Sequence, residues 1–414
     1  MELAGIAIED LLVLVVVLAL YSAFASVVAR WWVTAALFFT VVGWVLGPAG
    51  LGWFQSQVAS ASVEILASVA LATVLFGDAT KVRLASLRSH AAIPARLLTI
   101  GLLGSVVLGA LIAYPLIGGI AWPIAAVIGV ILAPTDAALG ASVVEDPDVP
   151  PRIREALFVE SGLNDGLAVP LLVVALAWAG LADSEMGFVR VLLMKVGLSA
   201  LLGLALGVAA YVLLRLARRW GGLDGTWSSL LPLLTAIGCY LLAEHLGGSG
   251  FIAAFVGGVV FGGAARRLPG REERGVEVDE AVSGLLQGTT WFLFGALAVG
   301  PLLASGAVQW TWVLYAVLSL TVVRMVPVAV ALAGTGTSRR AVLFLGWFGP
   351  RGLASVVFLM LVLGLDPADS DAAVIAGVAT ITVLLSIVLH GLTAPPLSAR
   401  LGRATDAARA GISG

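Results

Sequence analysis

Apolar stretches of about 20 residues recur from one end of the chain to the other, separated by short loops that hold nearly all of its basic residues. A bilayer's hydrocarbon core asks for helices of about that length, because only a helix or a closed barrel satisfies its own backbone there. About thirteen spans can be drawn, approximately 6–29, 33–50, 58–78, 97–117, 122–143, 156–180, 187–214, 228–246, 250–265, 280–303, 309–332, 340–363 and 372–394. The composition, 60% hydrophobic and 12% charged, excludes a soluble globular protein and fits an all-α polytopic membrane protein. Its 49 glycines and 17 prolines suit closely packed and sometimes interrupted membrane helices.

The basic residues set an orientation. With the N-terminus outside, the loops after odd-numbered spans and the tail fall inside. They hold Arg30, the group from Lys81 to Arg96, Arg152 and Arg154, Arg215 to Arg219, Arg266 to Arg274, Arg339 and Arg340, and Arg400 to Arg409. The opposite loops carry Asp183, Glu185, Asp366, Asp369 and Asp371 and neither Lys nor Arg. This is the positive-inside pattern, and it places the C-terminus in the cytoplasm of a plasma (inner) membrane protein. The first residues carry Glu2, Glu9 and Asp10 and no basic group, so the first span reads as retained rather than as a cleaved signal. No soluble regulatory domain is expected, and the single cysteine, Cys239, forms no intrachain disulfide and reads as a packing residue.

Basic residues inside the spans are Arg190, Lys195, Arg324 and Arg351. Arg190 can snorkel to the outer interface, while Arg324 and Arg351 lie far from either end and need partners. Two spans are interrupted near their middles, the fifth at Ala133-Pro134-Thr135 and the twelfth at Gly349-Pro350-Arg351-Gly352. Interruptions at matching places in two halves point to an inverted-repeat transporter with a site at the midplane; two unrelated proline kinks give the same pattern.

The fifth and sixth spans hold most of the polar groups. Ser161 and Asp165 are four apart on one helix face, and Glu160 and Asn164 lie one residue round. Thr135 and Asp136 adjoin a proline that frees backbone carbonyls. Hard oxygen donors beside freed carbonyls suit a small cation. Asp165 sits about nine residues into its span, ~14 Å deep, where a carboxylate must be either protonated or paired with a cation. With Asn164 rather than a second acid beside it, the proton-loaded and cation-loaded forms are both neutral and the empty form is charged, which implies one-for-one electroneutral exchange. A structural Asp bonded to a neighbouring helix is the competing reading. Glu160 needs an arginine partner, and both Arg324 and Arg351 are candidates. Asp136 is expected to tie the broken helix to Asn164 or to exposed N–H groups. Glu64, with Ser60, Ser62 and Ser68 near it in sequence, faces either the same cavity or outer water. Glu244 and His245 read as an outer-interface pair. Zinc-ligand patterns, a phosphate loop and a nucleophile elbow are all missing, so neither an enzyme nor an ATP-driven pump is expected, and no cofactor beyond transported ions.

PTDA in one broken span, ESGLNDG in the next, an arginine in the eleventh (TVVRMVP) and GPRG in the twelfth resemble the cation–proton antiporter superfamily, in its electroneutral sodium/proton exchanger branch, the NhaP type. The resemblance covers essentially the whole chain. It implies two inverted repeats with crossed, broken fifth and twelfth helices, and a core domain that moves against a dimerisation domain. Here those would be approximately 58–180 with 280–394, and 1–50 with 187–265, within one transmembrane unit of residues 1–414. It implies that Asp165 binds the cation and the proton, that Thr135, Ser161 and the third-span acid Glu64 complete the site beside Asn164, and that Glu160 pairs with Arg324. Arg351 then matches the arginine of the family's Gly-x-Arg-Gly motif. Members with Asp-Asp in place of Asn164-Asp165 are the electrogenic type. Two departures stand out: PTDA replaces the usual PTDP, which alters how the fifth span restarts, and the long cytoplasmic tail of many relatives is not expected here.

The expectation is a homodimeric secondary antiporter exchanging Na+ (or Li+) for H+ by an elevator-like movement, with the bilayer as its environment and no nucleic acid partner. A K+/H+ antiporter of the same architecture, a cation channel and a proton-coupled organic solute carrier are the alternatives. Small oxygen donors, rather than aromatic or apolar pocket residues, stand against the last.

Overall fold

The computed structural model describes residues 6–31, 33–55, 61–81, 92–136, 149–181, 192–221, 225–266, 274–364 and 370–410, together with 2–3, 139 and 190. It is helical apart from a two-residue antiparallel pairing of Glu2–Leu3 with Ile6–Ala7 ahead of the first helix. The helices are α1 Ile8–Arg30, α2 Ala35–Leu46, α3 Ala61–Lys81, α4 Ala92–Ile117, α5 Trp122–Ile131, α6 Pro151–Trp178 and α7 Leu193–Arg219. They continue with α8 Gly225–His245, α9 Gly250–Ala265, α10 Ala281–Ser305, α11 Trp310–Leu332, α12 Arg339–Trp347, α13 Leu353–Leu363 and α14 Ser370–Ala410. Seven of these are long and apolar enough to cross a membrane, namely α1, α4, α6, α7, α10, α11 and α14.

Each apolar span read from the sequence contains a helix, but several boundaries move, α4 for one beginning at Ala92 rather than 97. α6 begins at Pro151 rather than near residue 156, because Pro151 occupies the first helical position, where its missing N–H costs nothing. Asp165 therefore lies about 21 Å along the helix from its start. α14 runs on past Pro395-Pro396 to Ala410 instead of ending near 394.

Packing divides the helices into neighbourhoods. α7 lies along α9, which also receives α3 and α8; α2 packs on α10. On the other side α4 packs on α5, α5 on α6, α11 on α4 and α14, and α13 on α14. α3 and α10 form the seam, because both also touch α13 and α3 touches α6.

The interrupted spans meet at their breaks. α5 ends at Ile131 and the chain is non-helical through Ala133, Pro134, Thr135 and Asp136; the rest of the expected fifth span, residue 139 apart, lies outside the described residues. α12 ends at Trp347, and α13 starts only at Leu353. A break in an apolar interior exposes backbone groups that water cannot reach, so each needs a protein partner. The Asp136 N–H donates to Pro350 O at 2.9 Å. The Leu353 N–H, at the start of α13, donates to Asp136 Oδ2 at 2.9 Å, and Leu139 N–H to Asp136 Oδ1 at 3.4 Å. Ser355 Oγ donates to Ile131 O at 2.7 Å, meeting a carbonyl at the end of α5. The Arg351 guanidinium donates to Ala133 O at 3.0 Å, Pro134 O at 3.4 Å and Ser319 O at 3.3 Å, the last lying in a π-helical stretch of α11. Each break thus caps the other: an aspartate from the first binds an N–H of the second, and an arginine from the second binds carbonyls of the first.

Glycine at 349 and 352 permits this approach. A Cβ at Gly352 would collide with the Asp136 side chain, and one at Gly349 with Arg324 Nε and the Thr135 methyl. Gly352→Ala is expected to displace the Asp136 cap and lower stability by about 1–3 kcal/mol, read as a fall in Tm by tryptophan fluorescence in detergent; an unchanged Tm would contradict the mutual capping.

Candidate functional site

The helix of ESGLNDG brings three polar side chains to the break, which supplies a fourth. Ser161, Asn164 and Asp165 on α6, and Thr135 on the non-helical segment, are all buried. Asn164 Nδ2 donates to Thr135 Oγ1 at 2.6 Å, and Thr135 Oγ1 lies 3.2 Å from Ser161 Oγ. The hydroxyl beside the proline and the polar face of α6 therefore form one cluster. Asp136 does not bond Asn164; it binds the N–H of Leu353. Asn164 is tied to Thr135 instead, one residue earlier.

Two oxygens in this cluster, Asp165 Oδ1 and Asn164 Oδ1, are buried and have no hydrogen-bond partner among the described residues. Buried polar atoms without partners are rare in folded proteins, because each forfeits its hydration for nothing. Here two lie on adjacent residues, one of them a carboxylate, and Asn164 is tied to the Thr135 hydroxyl. Hard, partly anionic oxygens are the donors a small alkali cation takes, and a carboxyl proton satisfies the same acceptor. Among the described residues no group of three His, Cys, Asp or Glu side chains forms a transition-metal site. The Glu64 side chain lies outside the described residues, although its backbone belongs to α3.

One turn before the cluster, Glu160 meets Arg324. Arg324 Nη1 and Nη2 donate to Glu160 Oε1 and Oε2 at 2.5 and 2.9 Å, a two-pronged bond between side chains that are each about 2% exposed. Arg324 begins the α-helical second half of α11, just after the π-helical stretch Ser319–Val323, and Nη2 also reaches Leu345 O at 3.5 Å. Arg351, the other candidate partner for Glu160, is fully buried and devoted to backbone carbonyls. Asp78 and Lys81 pair at 3.3 Å near the end of α3, both partly exposed, and Glu244 Oε1 accepts the Gly250 N–H at 2.7 Å, bridging α8 to the start of α9. A cavity of about 600 Å³ lies between α1, α2 and α10, and Asp136 stands in its wall with Tyr21, Thr34 and Gln287.

Sequence reasoning passed over four buried side chains around the breaks: Ser319, Ser355, Ser386 and His390. Ser386 and His390 had a readable signal, since they stand four apart inside an apolar span and so share a helix face. Ser386 Oγ accepts the Arg351 N–H at 2.7 Å, and His390 Nε2 lies 2.9 Å from Trp347 O.

Apolar helices long enough to span a bilayer, wrapped around a buried ionisable cluster, define an integral, multi-pass membrane protein. The chain belongs to the sodium/hydrogen exchanger family: the family model described as "Sodium/hydrogen exchanger, transmembrane" matches residues 11–400. This is a family of transporters rather than enzymes. Its relatives include the Na(+)/H(+) antiporter NhaH of Halobacillus dabanensis, 30% identical over 288 residues, which are 66% of this chain and 67% of the relative. The K(+)/H(+) antiporter NhaP2 of Shewanella sp. (strain MR-4) is 27% identical over 377 residues, 89% of this chain and 62% of the relative. The chain spans about three fifths to two thirds of the length of such relatives. The sodium proton antiporter MjNhaP1 of Methanocaldococcus jannaschii superposes with a TM-score of 0.79 over 94% of this chain and 97% of that one, at 22% identity, and so shares its fold.

Removing the cation of the buried pair should be severe, because it strands Glu160 as an unpaired buried charge. Arg324→Ala is expected to cost about 3–5 kcal/mol, seen as a large fall in Tm and in folded yield. Adding Glu160→Gln should recover part of that loss; a double variant no more stable than Arg324→Ala would show that the stranded charge is not the cause.

Proposed function

We propose that this chain is a secondary active antiporter that exchanges Na+ or Li+ for H+ across the membrane, one for one and without net charge movement. The observation that carries this reading is the pair of buried, unpartnered oxygens on Asp165 and Asn164. Either a proton on Asp165 or a cation shared with Asn164, Ser161 and Thr135 satisfies them, and the two ligands exclude each other. Asn164, held by its amide nitrogen to Thr135, keeps its carbonyl oxygen for the cation. Glu64 is the further acid we place at the site, from α3.

Electroneutrality follows from how the neighbouring charges are used. Glu160 and Arg324 cancel in a close pair. Asp136 and Arg351 offset each other and are engaged with backbone groups across the two breaks. Among the described groups that leaves Asp165 as the one whose charge changes between empty and loaded states. Either ligand neutralises Asp165 and lets the site cross the barrier; empty, Asp165 is charged and held back. One cation therefore moves for one proton.

The movement we assign is of elevator type. Residues 58–180 and 280–394 carry the site, while 1–50 and 187–265 form the scaffold and the homodimer face, with α3 and α10 along the seam. The basic loops support an N-terminus outside and a C-terminus in the cytoplasm, and we assign the protein to the plasma membrane. The K(+)/H(+) name of the Shewanella relative supports a second reading, K+/H+ exchange by the same chemistry, since oxygen donors alone do not fix ion size.

Proteoliposomes with an imposed Na+, Li+ or K+ gradient and clamped membrane potential test these readings together. Sodium-driven proton flux indifferent to voltage is expected, and Asp165→Asn should abolish it while leaving the fold intact. Flux driven by K+ alone would select the second reading. Voltage-dependent flux would mean that another group, Glu64 first among them, also changes protonation. Exchange that survives in Asp165→Asn would overturn the site.

A further inference from the structure

His390 is a buried titratable residue that the exchange chemistry does not use. It lies on α14, 2% exposed, against the end of α12. Its Nε2 is 2.9 Å from Trp347 O, a carbonyl of the last residue of α12 that also takes the Gly349 N–H at 2.8 Å. Its Nδ1 is 3.2 Å from Ser386 Oγ and 2.9 Å from Ser386 O. Ser386 Oγ already accepts the Arg351 N–H at 2.7 Å. The Trp347 ring lies tilted beside the imidazole, with centroids 5.2 Å apart, and its Nε1 donates to Thr393 Oγ1 at 2.9 Å on α14.

The tautomer protonated at Nε2 gives Trp347 O its donor. It leaves Nδ1 as an acceptor for the Ser386 hydroxyl, which has accepted from Arg351 and has its own hydrogen to give; the Ser386 carbonyl, 2.9 Å from Nδ1, then takes no proton from the ring. The path then runs Arg351 N–H to Ser386 Oγ–H to His390 Nδ1, and His390 Nε2–H to Trp347 O. A second ring proton would take away the acceptor for the Ser386 hydroxyl. The path bridges the gap in the twelfth span, from the last turn of α12 to the backbone of Arg351, with α14 as the strut. Arg351 in turn holds the Ala133 and Pro134 carbonyls, next to Thr135 of the cation cluster.

We propose that His390 is a positioning residue for the cation site: as the neutral tautomer protonated at Nε2 it ties α12 and Arg351 to α14 through Ser386, and so fixes the break on which Thr135 sits. It touches neither the cation nor the proton in transit. This goes beyond the exchange reading, although the transport arm of its test rests on it.

The tautomer can be read without transport. In protein labelled with 15N at its 3 histidines, the resonances lost in His390→Gln identify the residue. A protonated Nε2 and an unprotonated Nδ1 across the pH range of exchange are expected; an imidazolium or the Nδ1–H tautomer overturns the proposal. In proteoliposomes, His390→Ala should raise the half-saturating cation concentration about tenfold, as expected for losing one buried hydrogen-bonded link, with less effect on the maximal rate. Ser386→Ala should do the same and covers the case in which His390→Ala does not fold. His390→Gln can donate to Trp347 O and accept from Ser386, and should recover most of the affinity. Equal defects in the Gln and Ala variants, or unaltered half-saturation in both Ala variants, would reduce His390 to packing. A wild-type protein that exchanges no cation would remove the exchange reading and leave the tautomer measurement to decide this one.

Discussion

Two helices are broken inside an apolar interior, and every backbone group they release has to be met by the protein itself. That requirement organises the residues around residues 131–136 and 345–353. Asp136 receives the first N–H of α13, Ser355 reaches back to Ile131 O, and Arg351 gathers carbonyls from the other break and from the π-helical stretch of α11. Gly349 and Gly352 let the two segments approach closely enough for this. Losing any one partner leaves a polar group in a place water does not reach, so the breaks are stable only together.

The same economy decides which charges are available for work. Arg351 and Asp136 are committed to backbone groups and Glu160 to Arg324. What remains in the cluster is Asp165, with an oxygen that nothing in the described structure binds, beside an equally unbound oxygen of Asn164. A carboxylate left unpaired in an apolar interior is costly, and in the proposed exchange a cation or a proton removes the cost. Hydrogen bonding, not distance, separates the two acids: Asp136 and Asp165 border the same cluster, yet only Asp136 meets N–H groups of the breaks.

Much of this architecture was legible in the residues. The apolar spans located the helices, and Pro134 and Pro350 located the breaks, because proline removes a helical N–H and the chain must leave the helix nearby. ESGLNDG identified the polar face of α6 through its four-residue spacing. Pairing across helices was less readable. The residues alone left Glu160 open to Arg324 or Arg351, and the family resemblance pointed to Arg324, where the structure places the pair. Asp136 was expected near Asn164 or at exposed N–H groups; it meets the N–H groups, and Thr135 takes Asn164. The start of α6 was misplaced because Arg152 and Arg154 interrupt the apolar pattern without interrupting the helix. His390 and Ser386 were missed because their partners, Trp347 and Arg351, belong to a different helix and break, and no local periodicity reports that contact. The π-helical stretches of α4, α7, α10 and α11 leave no evident mark in the sequence.

The central claim is that one carboxylate binds a cation and a proton in competition. Calorimetric titration of the purified protein with Na+, repeated in buffers of different ionisation enthalpy, measures how many protons leave as each cation binds. The account predicts one proton released per Na+ when Asp165 starts protonated, and no such release from Asp165→Asn. Sodium binding with no proton released under those conditions would contradict it, because cation and proton would then occupy different groups.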